Sequence, residues 1–215
     1  AADAILIVGS NPRLEAPVLN ARIRQRWLSG QCEIGVIGEA ADLTYDFDHV
    51  GTGPKALAGL SKKRSGFIKT LKDAERPMII LGQGALARED GAQVLRAAGE
   101  LASKIGAVKE GWNGFNVLQQ HAGRVAALDM GVVPGKDGMN TQGILEALKK
   151  GKVDVLFVYG EGDIPAAELK GAKFLVYIGT HKSPIAEMAD VVLPAAAYTE
   201  KSGLWTNTEG RVQEG

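Results

Sequence analysis

ADVVLPAAAYTEKSGLWTNTEGRVQ, residues 189–213, joins an apolar strand to a loop crowded with polar groups. The run Val191-Val192-Leu193 stops at Pro194. Proline has no N–H to continue a hydrogen-bond ladder, so a strand ends there. Small residues and Tyr198 follow, then Glu200-Lys201, Gly203 and Asn207-x-Glu209-Gly210-Arg211. In parallel α/β sheets, ligands lie beyond the carboxyl ends of the strands. The stretch therefore asks for a parallel sheet and raises the question of what its loop holds.

Working outward, similar apolar runs occur at 4–8, 33–37, 78–81, 153–159, 173–178 and 190–193. They are short, nearly continuous in apolar character and rich in Ile, Val and Leu, as strands covered on both faces are. Amphipathic stretches lie between them. Residues 17–28 set Leu19, Ile23 and Trp27 on one side, with Arg22 and Arg26 on the other, and Pro17 suits a first helical turn. Residues 90–105 stack Val94, Leu95, Ala98, Leu101, Ala102 and Ile105, and residues 116–128 stack Val117, Leu118, Val125 and Leu128. Thr141 is expected to cap a helix running through Leu148, with shorter helical pieces at 54–60 and 65–74. Strands alternating with helices predict an α/β fold, three-layered α/β/α and Rossmann-like, with mainly parallel sheets in two lobes. The polar run 72–76 before Pro77 marks the boundary, giving a first lobe at 1–74 and a second at 75–215. Ala1-Ala2-Asp3 starts one residue before a strand without an initiator Met, and both ends read as cuts in a longer protein.

Four runs end alike: ILIVGSNP (5–12), IILGQGAL (79–86), FVYGEGDIP (157–165) and YIGTHKSP (177–184). Glycine at such a turn lets a ligand approach the backbone and offers N–H groups to anions. A tight strand-to-helix turn also needs glycine with no ligand at all. None of the four is a G-x-G-x-x-G fingerprint, and the Glu161 and Asp163 carboxylates would repel a phosphate. Nicotinamide or nucleoside triphosphate binding has little support.

Composition narrows the classes further. The 215 residues are 45% hydrophobic and 23% charged with zero net charge, which suits a globular chain and argues against nucleic acid as partner. No apolar run reaches the roughly 20 residues of a membrane span, so no direct membrane insertion is expected. One cysteine, Cys32, excludes a disulfide framework or a multi-cysteine cluster within these residues, and it reads as inert and semi-buried. His49, His121 and His181 lack metal-ligand spacing, and His121 is expected on the apolar side of a helix as a core histidine. Asp42, Asp46 and Asp48 read as solvated loop charges. Arg13, Arg22, Arg24 and Arg26 form a basic flank, read as solvated or as a subunit contact.

The order GSNP, ILGQGAL…DGAQVL, HAGRVAALDMGVVPG, VLFVYGEGD and ADVVLPAAAYTEKSGLWTNTEGRVQ resembles the molybdopterin oxidoreductase fold over nearly the whole chain. In that family such turns surround a pterin dinucleotide. More finely, GSNPRLEAPVLNARIRQRWLSG (9–30), ADLTYDFDHVG (41–51) and AAYTEKSGLWTNTEGRVQ (196–213) resemble the large iron–sulfur subunits of respiratory complex I, the NADH-quinone oxidoreductase. That resemblance implies a portion that keeps the molybdenum-enzyme fold without its cofactor. Iron–sulfur clusters would lie in an N-terminal part of the parent protein. Partners would be other complex I subunits and the chain's own iron–sulfur part. The location would be a peripheral arm on the cytoplasmic side of a bacterial inner membrane, or the matrix side in mitochondria. Gly9, Asn11, Gly82, Gly84, Gly160, Glu200, Asn207 and Arg211 would line a vestigial crevice, with Glu200, Asn207 and Arg211 bracing the loop. No catalytic or metal-binding residue is expected.

Three functions are weighed. The first is a non-catalytic scaffold domain within an enzyme that oxidises NADH and reduces quinone. The second is a piece of a working molybdopterin-dependent oxidoreductase. The third, a free dinucleotide-binding module, is disfavoured by the broken glycine fingerprints.

Overall fold

A computed structural model describes residues 1–62, 65–160 and 164–215. The chain clusters into two compact units, one of Ala1–Arg124 with Thr208–Gly210 and one of Val125–Asn207 with Arg211–Gly215.

The elements of the first unit are, in chain order, β1 (Ala4–Val8), α1 (Pro12–Glu15), α2 (Pro17–Leu28), β2 (Glu33–Ile37), β3 (Asp48–Gly51), α3 (Gly53–Leu60), α4 (Phe67–Asp73), β4 (Pro77–Gly82), α5 (Gln83–Leu86), α6 (Gly91–Ile105), β5 (Val108–Lys109), β6 (Trp112–Asn113) and β7 (Phe115–Leu118). Five of these strands form a parallel sheet in the order β3-β2-β1-β4-β7, while β5 and β6 make a small antiparallel ladder. Strand side chains alternate between faces, and β1 is apolar on both. Ala4, Leu6 and Val8 join Ile79 and Leu81 against α3, α4 and α6. Ile5 and Ile7 join Ile34, Val36 and Ile80 against Ile23 of α2. Both faces of this sheet are therefore covered, which is why its strands read as unbroken apolar runs.

The second unit begins within α7 (Arg124–Asp129) and continues through α8 (Thr141–Lys149), β8 (Val155–Tyr159), a 3-10 turn at Ala166–Leu169, β9 (Phe174–Gly179), α9 (Pro184–Met188), β10 (Val191–Pro194), β11 (Leu204–Thr206) and β12 (Val212–Glu214). Strands β8, β9 and β10 form a parallel sheet with β9 in the middle, and β11 pairs antiparallel with β12. Leu175 and Tyr177 of β9 pack with Leu148, Leu169 and Ile185, which come from the helical connections. Ser183 caps α9 by accepting from the N–H of Ala186.

The parallel α/β class holds, and several local readings change. Residues 115–118 form strand β7, and helix begins only at Arg124, so the expected 116–128 helix is shorter by its first half. His121 is then an exposed turn residue, not a core histidine. Leu95 faces outward from α6 while Val94, Ala98, Leu101, Ala102 and Ile105 are buried. Asn140, not Thr141, caps α8, accepting from the Gly143 N–H. Residues 72–76 lie in the connection into β4, the central neighbour of β1. There the Asp3 carboxylate accepts the N–H groups of Glu75 and Arg76, both at 2.8 Å. Their polarity serves a crossover turn, and the compact units meet in sequence at 124/125.

The basic flank is solvated as expected, with Arg13, Arg22 and Arg24 exposed and Arg26 half-buried, and three of its arginines are also tied down. Arg13 pairs with Asp42, Arg24 donates to the Thr44 carbonyl at 3.1 Å, and Arg26 donates to the Ala2 carbonyl at 2.8 Å. Asp42 also accepts from the Thr44 N–H, so it is an organised loop charge. Beneath them, Asn20 is buried, donating to the Leu43 carbonyl at 3.0 Å and accepting from the Tyr45 hydroxyl at 2.8 Å. Together these bonds hold the irregular segment after β2 against α2.

Candidate functional site

Strand order reverses at β1 in the five-stranded sheet, because β2 and β4 flank it on opposite sides. That is the place where an open α/β sheet leaves a crevice beyond its carboxyl edge. Gly9 leaves β1 with φ of 58°, and its N–H donates to the Ile37 carbonyl at 2.8 Å. A cleft of about 220 Å³ opens beside it, lined by Val8, Gly9, Gly38, Pro54, Leu57, Gly84 and Arg88 among others.

The glycines at the back of this crevice are filled by backbone. A Cβ on Gly82 would lie 2.1 Å from the Gly9 carbonyl oxygen, and one on Gly9 would lie 2.6 Å from Cβ of Ala85. Absence of side chains here lets β1 and the β4–α5 turn touch each other. Gly84 has only the Gly9 oxygen near it, at 4.0 Å, and faces the cleft.

The cleft is apolar apart from Arg88. That guanidinium makes a two-pronged pair with Asp90, at 2.7 and 3.1 Å. The side-chain hydrogen bond holds the Asp90 carboxyl below its usual range and raises Arg88 correspondingly. Asn11 donates its backbone N–H to Glu15 at 2.6 Å. Ser10 Oγ, Asn11 Oδ1 and Gln119 Oε1 are buried without a protein partner. The two amide carbonyls among them are acceptors, complementary to donors and not to phosphate.

The other expected site residues lie in the second unit. Gly160 follows β8 with φ of 77° and donates to the Ile178 carbonyl at 2.8 Å. Glu200 closes a turn on Ala197, accepting that residue's N–H at 3.0 Å. Asn207 and Arg211 close the β11–β12 hairpin: Asn207 Oδ1 accepts the Arg211 N–H at 3.0 Å, and the Arg211 carbonyl accepts the Asn207 N–H at 3.1 Å. Glu161 and Asp163 lie outside the described residues. Gly9 and Gly84 thus line one crevice of the first unit, with Gly82 packed behind Gly9 and Asn11 outside the lining, while Gly160, Glu200, Asn207 and Arg211 belong to turns of the second. The sequence reading missed Gly38, Pro54 and Arg88. Gly38 was accessible by the same strand-then-glycine rule, since it follows β2.

No group of three or more His, Cys, Asp or Glu side chains among the described residues is arranged to hold a metal. Cys32 is buried, and desolvation pushes its thiol from 9.0 up to about 11, with Arg26 opposing. It is a poor nucleophile or ligand at neutral pH. His49 contacts the Gly38 carbonyl at 2.8 Å and His181 contacts Thr180 at 2.8 Å.

The family model for molybdopterin oxidoreductases matches residues 1–215. The chain belongs to the molybdopterin oxidoreductase family. It is homologous over nearly its whole length to large iron–sulfur subunits of the mitochondrial respiratory enzyme. It is 39% identical to the NADH dehydrogenase [ubiquinone] iron-sulfur protein 1 of Solanum tuberosum, across 99% of this chain and 27% of that protein. It is 42% identical to the NADH-ubiquinone oxidoreductase 78 kDa subunit of Neurospora crassa, again across 99% and 27%. The 75 kDa subunit of Reclinomonas americana is 37% identical, across 98% of this chain and 30% of its own length. The chain therefore spans little more than a quarter of the relatives it matches.

Membership of the molybdopterin oxidoreductase family implies a pterin dinucleotide, and the crevice offers its phosphates few groups. Its pyrophosphate needs open glycine N–H groups or unpaired cations. Here the Gly9 N–H is already taken by the Ile37 carbonyl and the cleft's arginine is paired with Asp90, which leaves Gly84 as the open glycine facing the cleft.

Proposed function

We propose that this chain is a non-catalytic structural domain within a larger iron–sulfur subunit of NADH-quinone oxidoreductase. The observation that carries the reading is the closed glycine contact at the sheet's switch point, where the Gly9 carbonyl occupies the place of a Gly82 side chain. Full-length similarity to the mitochondrial subunits supplies the context. In this reading iron–sulfur clusters belong to the rest of the parent polypeptide and carry electrons from NADH towards quinone. These 215 residues contribute two compact units that pack on the cluster-bearing part and on other subunits of the peripheral arm. The loop after β10 and the hairpin beyond it serve structure, braced by Glu200, Asn207 and Arg211. Among the described residues no helix is long and apolar enough to cross a membrane.

Mutation of the cleft cation in the intact enzyme tests this. Arg88→Ala should leave NADH–quinone turnover per assembled enzyme unchanged. A fall of an order of magnitude in turnover, with assembly intact, would make the cleft part of the catalytic machinery and overturn the reading.

A further inference from the structure

Among the described residues, the helical core of the second unit lies on one face of its three-stranded sheet. Register places Val155 beside Phe174, Phe157 beside Val176 and Tyr159 beside Ile178, and Leu193 also pairs with Ile178. Paired residues of parallel strands point the same way, so these side chains share a face. The opposite face, through Leu175 and Tyr177, meets the core built by the helical connections. Val155, Phe174 and Leu193 are exposed, Phe157 and Tyr159 are 65% and 73% exposed, and Val176 alone, in the middle of the face, is buried between its neighbours. None of the strand residues on this face is charged. An all-parallel sheet with a bare apolar face is unusual, because its crossovers ordinarily cover both sides.

The first unit indicates what is missing. Its chain starts in the middle, at β1, and moves outward through β2 to β3. It then returns to the other side of β1, adding β4 and β7. The outward half crosses over α2 on one face, and the return half packs α6 on the other. Right-handed crossovers require that exchange of faces when direction reverses. In the second unit β8 corresponds to β1, and β9 and β10 complete the outward half. Among the described residues β8 is an edge strand, and its edge and the exposed Phe157 face are where a return half belongs.

We propose that this face and edge are covered by a further helix-and-strand segment of the same polypeptide, lying outside these 215 residues. The helix lays an apolar stripe over Phe157, Tyr159 and Leu193, and its strand pairs parallel with β8. Chain length supports this occupant over a separate subunit: the relatives are more than three times as long as this chain, which spans 27% of them. The proposal rests on the reading of the chain as part of a larger subunit.

The test uses the full-length parent polypeptide. A photo-cross-linking amino acid at position 157, and separately at 159, should link to residues of the same polypeptide outside these 215. In parallel, Phe157→Cys and Tyr159→Cys should react with a maleimide about 100-fold more slowly than Lys173→Cys, because a covered sheet reacts only through local opening. Links to another subunit, links confined to residues 1–215, or labelling as fast as at position 173 would each overturn the proposal. Two positions are used so that one misfolded variant leaves the other informative. Failure here would leave the Arg88→Ala turnover result, and the structural reading it tests, untouched.

Discussion

Gly82 has no side chain because the carbonyl of Gly9 stands where one would be. Backbone on both sides of that contact has no room to yield. Gly82→Ala should lower unfolding free energy by about 1–3 kcal/mol, read from the urea midpoint at constant m. Gly84→Ala, which meets nothing closer than 4.0 Å, should do much less. Equal effects would mean that the crevice relaxes and that its glycines are not packing against each other. The buried Asn20–Tyr45 pair makes a second prediction. Asn20→Ala strands both the Tyr45 hydroxyl and the Leu43 carbonyl and should cost about 1–3 kcal/mol in the same assay. The sequence marked the glycines, and it could not say why they were there. Glycine is needed equally for a ligand's approach and for a backbone's, and only the distance to the Gly9 oxygen separates the two. Arg88 went unmarked because its pairing with Asp90 and its place at the cleft depend on how the β4–α6 turn folds.

Elements show where sequence patterns speak and where they fall silent. Helix α2 was legible from its period, and Ile23 is buried with Leu19 and Trp27 packed on the same core. Ile23→Ala should cost about 2–5 kcal/mol, while Arg22→Ala should stay within about 0.5 kcal/mol; comparable losses in thermal unfolding would contradict the facing. Strands β1, β2 and β4 were legible because both their faces are buried. Strand β3, DHVG, was not: it is an edge strand whose Asp48 and His49 are exposed, so nothing in its composition announces a strand. Strand β7, FNVL, was absorbed into the following helix because a short apolar run fits either period. The chemistry beside β2 is also testable. Cys32 is held as a neutral thiol at about 11 by desolvation, and Tyr45 is raised as well, chiefly by desolvation. Both groups are deprotonated more readily in the unfolded chain. The stability the thiol contributes is complete below about pH 9, its ordinary value, and is lost as pH rises from there through 11, while the Tyr45 contribution begins to fall only above 10. The urea midpoint should therefore fall across that window, and fall less in Cys32→Ala. A midpoint flat to pH 11 in the parent chain would contradict this burial.

At the scale of the molecule, the family was legible from five motifs in order, each weak alone and mutually consistent as a series. The compact units part in sequence at 124/125, while the polar run 72–76 leads into β4. A polar run looks the same in a linker and in a crossover turn, and the difference lies in β4 pairing with β1 across more than seventy residues of chain. The molecule that results keeps the sheet, the strand-order reversal and the glycine turns of an enzyme family whose cofactor finds one paired arginine and one open glycine in the crevice. Its account as a structural domain stands or falls on that scarcity. The direct measurement is molybdenum and tungsten per polypeptide, by mass spectrometry of the purified parent subunit in its assembled enzyme. The account predicts neither metal in stoichiometric amount. One molybdenum or tungsten per polypeptide, lost in Gly9→Val while assembly persists, would contradict it.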